Sequence, residues 1–238
     1  MRLDLLLADV LRLARRHGLV LYIDFLLANI AVTLINTLIH PQRMRDQLSG
    51  ISQVETLGDI AALLILDPAS HLGSAVFTVV SAFSFLRIWW LENGRAPPPE
   101  LRHALFWGNI LPLIVLQAAA DVATGLGLAL FVLPAAPVIA MTMFLIPAAI
   151  AEGQGWQALG RAWRLAAPQA LLLSALWLSI LVPWIALTVI AQPSDAGFQS
   201  ASDLTVAMAL VFSDFHMPAF AALGLLFTLA AYRQLARA

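Results

Sequence analysis

The sequence predicts an all-α, polytopic integral membrane helix bundle that forms a single transmembrane domain over residues 1–238. Hydrophobic residues make up 61% of the chain and the mean hydropathy is +0.86, well above the roughly half-apolar composition of soluble domains. Only 11% of the residues are charged. The net charge of -1 argues against a nucleic-acid partner, and the absence of cysteine excludes disulfides, thiolate metal sites and cysteine nucleophiles.

Six apolar runs are long enough to cross a bilayer, whose hydrocarbon core of about 30 Å needs about 20 helical residues. We expect spans near residues 19–39, 72–91, 104–122, 126–151, 170–191 and 204–232. The last run is broken around Asp214 and Pro218, and prolines near or inside the other runs indicate kinked or interrupted helices.

Arginine supplies all thirteen basic residues, and its distribution predicts the orientation of the spans. Positive charge in short loops is retained on the cytoplasmic side of a membrane. Arg43 and Arg45 fall on one side of a six-span arrangement. The other side carries Arg2, Arg12, Arg15, Arg16, Arg87, Arg95, Arg102, Arg161, Arg164, Arg233 and Arg237. We therefore expect both termini to be cytoplasmic.

Two stretches at the predicted cytoplasmic border have the spacing of amphipathic helices. In residues 1–18, a leucine-rich helical face lies opposite a face that carries Arg12, Arg15 and Arg16. This pattern predicts an interfacial helix before the first span. Between the fourth and fifth spans, one helical face carries Trp156, Leu159, Trp163 and Ala166, and the other carries Gln157, Arg161 and Arg164. Because tryptophan prefers the headgroup level, we expect these tryptophans and the arginines to contact lipid phosphates or a partner's carboxylates.

Between residues 130 and 172, a proline-bearing span is followed by a glutamate–glycine pair and an alanine-leucine-arginine stretch. The residues that carry this pattern are Pro134, Pro147, Glu152, Gly153, Ala158, Leu159, Arg161 and Trp163, together with the loop Asn93–Pro99 and the pair Tyr232–Arg233. In these features the chain resembles the membrane domain of glycerophosphodiester phosphodiesterases and its stand-alone relatives, a family of six-helix bacterial membrane proteins. The resemblance implies a multi-pass protein of the bacterial cytoplasmic (inner) membrane. It implies no catalytic residue, because the family's phosphodiesterase activity belongs to a separate soluble domain.

Two charged residues fall within the predicted spans at similar depth. Asp24 follows the start of the first span by about one turn, and Arg87 lies in the last turns of the second. Charges at membrane depth are costly, so they are candidates for function. A structural ion pair or a snorkelling arginine is one interpretation, and a role in transport is the other.

The opposite side of the predicted membrane collects side chains that could ligate a divalent metal, namely His40, Asp67, His71, Asp121, Asp214 and His216. Asp214 and His216 are the only close pair, whereas Asp67 and Asp121 stand where helix caps are expected. The spacing therefore favours ordinary loop and cap residues, and we expect neither a metal nor a cofactor.

Three function classes follow from these residues. We favour a non-enzymatic scaffold or accessory subunit that binds and stabilises other membrane components, with membrane lipids and another membrane protein or larger complex as partners. The alternative is a transporter or channel for a small solute or lipid, suggested by the prolines and by Asp24 with Arg87. An intramembrane enzyme is disfavoured, because no nucleophile with a neighbouring base can be named. The sequence leaves the oligomeric state open.

Overall fold

The computed structural model describes residues 2–48, 68–93, 99–129, 135–191 and 196–235. Within these ranges the regular structure is entirely helical, which confirms the all-α class. The α-helices are α1 (Leu3–Ile39), α2 (Pro41–Leu48), α3 (Pro68–Asn93), α4 (Pro99–Ala129), α5 (Ala135–Thr142), α6 (Ala158–Ala166), α7 (Ala170–Ala191), α8 (Asp203–Ser213) and α9 (Met217–Leu235).

Four helices of the described chain are long and apolar enough to cross a membrane, which supports a membrane protein. These candidate spans are Leu3–Ile39, His71–Asn93, Phe106–Thr124 and Met217–Leu235. Helix α7 coincides in its bounds with the fifth predicted span, near residues 170–191. The expected total of six spans is thus matched only in part.

The N-terminal stretch differs from the expected pairing of an interfacial helix and a separate span. Residues 1–18 were expected to form a helix of their own, but Leu3–Ile39 is one helix of 37 residues. Gly18 does not end this helix, because a single glycine lowers the stability of a helix by only about 1 kcal/mol relative to alanine. At 1.5 Å per residue the helix is about 55 Å long, so it extends beyond a bilayer core of about 30 Å.

The fourth predicted span, near residues 126–151, is not one helix. Helix α4 continues through the expected break to Ala129, the short α5 ends at Thr142, and a turn of π-helix follows at Pro147–Ala151. Proline lacks the N–H that would continue the α-helical ladder, which accounts for the widened turn at Pro147. Pro134, which belongs to the family pattern, lies outside the described residues, as do Asp67, Arg95 and Arg237.

The last predicted span, near residues 204–232, is divided where the sequence indicated. Helix α8 ends at Ser213, a turn covers Asp214–His216, and α9 begins at Met217. Pro218 is the second residue of α9, where its missing N–H would have no helical partner in any case. By contrast, α4 and α7 contain Pro112 and Pro183 without ending there.

The helices pack in a ring. Helix α1 contacts α9 most extensively and also α3, and the ring continues from α3 through α4, α5 and α7 back to α9. Large apolar side chains fill most of the interior, among them Phe25, Phe85 and Phe144. Many leucines remain exposed on the outside, including Leu19, Leu38 and Leu171. Helices that are apolar on both their inner and outer faces are typical of a bundle surrounded by lipid.

Candidate functional site

Glu152 lies at a sharp reversal of the chain between the π-helical turn and α6. Gly153 adopts a φ of 66°, in the left-handed region that glycine enters without steric cost, and thereby ends the preceding helix. The N–H of Gln154 then donates to the carbonyl of Ala148 at 3.1 Å. This turn brings α6 into contact with α5 and the π-helical turn and places Arg161 beside Glu152.

The Glu152 clamp, as we name the set Glu152, Arg161 and Tyr232, joins the reversal, α6 and α9. Arg161 donates from Nε to Oε2 of Glu152 at 2.7 Å and from Nη2 to Oε1 at 3.1 Å. The hydroxyl of Tyr232 donates to Oε1 at 2.8 Å. Burial opposes ionisation of Glu152, but the hydrogen bonds from Arg161 and Tyr232 and the nearby guanidinium charges prevail, so its pKa lies below the usual value.

Helix α6 has three faces rather than the two expected from the sequence. Ala158, Ala162, Leu165 and Ala166 are buried against the bundle. Trp156, in the 3₁₀ turn Gly155–Gln157 that precedes α6, forms an outward apolar stripe with Leu159 and Trp163 of α6, in which the two tryptophans are 60% and 52% exposed. Arg164 lies on the remaining exposed face. Ala166 was expected on the tryptophan face, but it is buried against the bundle. Its small side chain allows α6 to pack closely against the neighbouring helices.

A second charge cluster surrounds Glu92, at the end of α3. The side chain of Glu92 is only 5% exposed, and we name it with its four partners the Glu92 cluster. Its oxygens lie 2.9 Å from Nη1 of Arg12, 3.5 Å from Nη1 of Arg16, 3.0 Å from Nε2 of His17 and 3.2 Å from Nη1 of Arg233. Asp9 also pairs with Arg12, at 2.5 Å.

The Glu92 cluster was not singled out from the sequence. The sequence feature that could have indicated it is an acidic residue at the end of an apolar span, in a chain whose termini are rich in arginine. The structure brings Arg12 and Arg16 of α1 together with Arg233 of α9, as expected for residues on one side of the membrane. Arg15, the third expected contact residue of this stretch, is exposed.

Asp24 and Arg87 are in contact, consistent with their similar expected depth. Nη2 of Arg87 lies 2.5 Å from Oδ2 of Asp24, and the hydroxyl of Ser84 donates to the same oxygen at 2.8 Å. Both charges are therefore compensated between α1 and α3. This arrangement favours the ion-pair interpretation of these two residues.

Asp214 and His216 lie in the turn between α8 and α9. The imidazole of His216 is buried, with Phe215 and Phe220 in edge-on contact with its ring. In the described part of the chain, no three side chains of His, Asp or Glu converge in a way that could hold a metal ion. The two residues thus belong to the turn and its apolar packing.

The role of Asp121 was predicted wrongly from the sequence. It was expected to cap a helix, but it lies inside α4 and lines a cavity of about 370 Å³ between the helices of the ring. The hydroxyl of Ser74 donates to Oδ2 of Asp121, and Nε2 of Gln117 donates to Oδ1 at 2.9 Å. The carboxylate is thus hydrogen-bonded by side chains of α3 and α4 and not by the N–H groups of a helix start.

Comparison with protein-family models, with curated proteins and with solved structures gives no match for this chain.

Proposed function

We propose that the chain is a non-enzymatic integral membrane protein that acts as a scaffold or accessory subunit for another membrane protein. The observation that carries this proposal is the outward stripe of Trp156, Leu159 and Trp163 on α6 and the turn that precedes it. Large aromatic side chains at fixed positions contribute much of the binding energy of protein interfaces, because they bury a large area at little entropic cost.

The attachment of α6 to the bundle supports the same proposal. The Glu152 clamp connects α6 to α9 through one carboxylate, and the alanines of α6 pack closely on the ring. A stripe that is already held in place loses little conformational freedom on binding, which favours association. Both oxygens of Glu152 accept hydrogen bonds from Arg161, so this carboxylate is suited to holding the helix and poorly suited to serving as a general base.

We further propose that the protein resides in the bacterial inner membrane with both termini cytoplasmic, and that it is related to the membrane domain of glycerophosphodiester phosphodiesterases. Support for the orientation comes from the arginines that meet at the Glu92 cluster, since positive charge is retained on the cytoplasmic side. Support for the relationship comes from the clamp, which joins three residues of the family pattern: Glu152, Arg161 and Tyr232.

The second candidate function is that of a transporter or channel for a small solute or lipid. The cavity beside Asp121 favours it, because polar groups within a ring of spans often mark a solute site. Uptake into liposomes that contain only this chain would support it. An absence of substrate-dependent uptake or current would count against it.

Native mass spectrometry tests the scaffold proposal. The full chain is extracted from its own membrane with a mild polymer, and the masses of the released assemblies are measured. We expect a stoichiometric protein partner with the wild-type chain, and at least about tenfold weaker association with the double variant Trp156→Ala with Trp163→Ala, because removal of two interface aromatics costs more than about 1.4 kcal/mol.

The matched control is Phe212→Ala, which removes another large exposed aromatic side chain, on α8. This variant should retain the partner if the stripe on α6 is specific. A wild-type chain that is released alone, or with lipid only, would contradict the scaffold proposal. Equal loss of the partner from both variants would reject the stripe as its binding surface.

A further inference from the structure

The lining of the cavity of about 370 Å³ is chemically mixed. Its polar residues include Asp121 and the hydroxyl-bearing Ser74, Thr78 and Thr124. Its aromatic residues include Phe77, Trp177 and Phe220. A cavity of this size is at the lower end of the roughly 300–1,000 Å³ that small-molecule sites occupy.

Asp121 gives the cavity a single charged group. Of the described residues that line the cavity, Asp121 alone is acidic or basic. Its hydrogen-bond donors, Ser74 and Gln117, are both neutral, and the described ion pairs do not include it. This differs from Asp24, which an arginine compensates at 2.5 Å. A carboxylate without a cationic partner in a low-dielectric site attracts a cation strongly.

Asp121 lies toward one end of the helix ring. Its donor Ser74 lies near the start of α3 and Glu92 near its end, so the two are separated by about 27 Å along the helix. Asp121 is likewise close to the end of the candidate span Phe106–Thr124. Asp121 therefore lies toward the end of the bundle opposite the Glu92 cluster, which the arginine distribution assigns to the outside.

We propose that this cavity binds a small organic ammonium ion, with Asp121 as the counter-ion. The hydroxyl oxygens beside Asp121 can accept hydrogen bonds from the N–H groups of an alkylammonium, and the apolar lining residues can bury its carbon chain. The aromatic faces add attraction for the cation. An inorganic cation would bind the carboxylate but would gain no binding free energy from the apolar lining residues. This inference does not depend on the scaffold proposal.

Calorimetric titration of the full chain in nanodiscs of a zwitterionic lipid tests the proposal, with protein-free nanodiscs as the blank. The probes are n-butylammonium, its neutral counterpart 1-butanol, and potassium ions. We expect saturable binding of n-butylammonium with a Kd of about 1 mM or tighter, and at least about tenfold weaker binding of 1-butanol and of potassium.

Asp121→Asn keeps the shape of the side chain and one acceptor oxygen in place of two, and it should weaken n-butylammonium binding at least about tenfold. The control Asp203→Asn removes a carboxylate near the same end of the bundle, outside the cavity, and should bind like the wild type. Equal binding of 1-butanol or potassium by the wild-type chain would overturn the proposal, even if Asp121→Asn failed to fold. So would a wild type without saturable binding, or a folded Asp121→Asn with unchanged affinity.

Discussion

Glu152 is a half-buried charge at the edge of an apolar bundle, and each of its oxygens is satisfied by a named donor. Arg161 contacts both oxygens, and Tyr232 contacts one of them. Burial alone would raise the pKa of this carboxyl group, whereas the donors lower it further than burial raises it. The charged form is therefore the one that holds α6, and the strength of the clamp depends on pH.

We predict that Glu152→Gln lowers the stability of the folded chain at pH 7 by about 1–2 kcal/mol, because a charge-assisted pair becomes neutral and Arg161 is partly solvated. The pKa of Glu152 is lowered in the folded state, so its contribution is complete above the unfolded value of about 4.3 and is lost as the pH falls through the folded value. Thermal unfolding in detergent should thus show a difference from the wild type that is constant near neutral pH and shrinks below about pH 4.

Tyr232→Phe provides the matched control for this prediction, since it removes one hydrogen bond and leaves the Arg161 pair intact. It should destabilise the chain by less than Glu152→Gln does. A difference between Glu152→Gln and the wild type that stayed constant down to about pH 3 would contradict the assignment of the lowered pKa to this clamp.

At the scale of helices, the Glu92 cluster ties three elements together at one end of the bundle. Glu92 ends α3, while Arg12, Arg16 and His17 come from α1 and Arg233 from α9. The Glu92 side chain is 5% exposed, whereas Arg12 and Arg16 are 40% and 63% exposed and Arg233 is 11% exposed. Removing the shared anion would leave three guanidinium groups close together, with Asp9 still paired to Arg12 and 4.0 Å from Arg233.

We predict that Glu92→Gln destabilises the folded chain by about 2–3 kcal/mol, because three arginines lose a buried shared anion and only Asp9 still compensates Arg12 and Arg233. Thermal unfolding of the full chain in nanodiscs measures this loss. The control is Asp4→Asn, which breaks an exposed pair with Arg2 and should cause no measurable change. Equal melting temperatures for Glu92→Gln and Asp4→Asn would show that the cluster does not hold the three helices.

At the scale of the whole molecule, the charge clusters and the cavity lie toward opposite ends of the helix ring. The arginine-rich end contains the Glu92 cluster and the Glu152 clamp, which are linked through the adjacent residues Tyr232 and Arg233. The other end contains Ser74 and Asp121, which line the cavity, and the pair of Arg45 with Asp203. The proposed partner surface and the proposed ligand site are therefore separate and can be tested independently.

The absence of cysteine from the chain allows a direct test of its orientation. We predict that a cysteine at Ser200 reacts with a membrane-impermeant maleimide in intact spheroplasts, whereas one at Gln157 reacts only after permeabilisation. Both positions are exposed, and they belong to opposite ends of the bundle. The cysteine-free wild type gives the background. The reverse pattern of labelling would show that the arginine distribution does not set the orientation of this protein.

Several features of the fold were predictable because they depend on local sequence. The break at Asp214 and Pro218 follows from the restricted backbone of proline, and the long apolar helices follow from hydropathy and length. The exposed tryptophan stripe follows from helical periodicity. By contrast, periodicity could not place Ala166, because whether an apolar position faces lipid or protein depends on where the neighbouring helices lie.

By itself, the sequence determined the class of the protein, an all-helical chain with helices long and apolar enough to cross a membrane. Only the tertiary structure decided the partners of its carboxylates. Ser74 and Asp121 are 47 residues apart, and Glu92 and Arg233 are 141 residues apart. Hydropathy and periodicity act over a few turns of one helix, whereas such pairs depend on the depth and rotation of helices packed side by side. The clamp, the cluster and the cavity therefore exist only once the ring of helices has assembled.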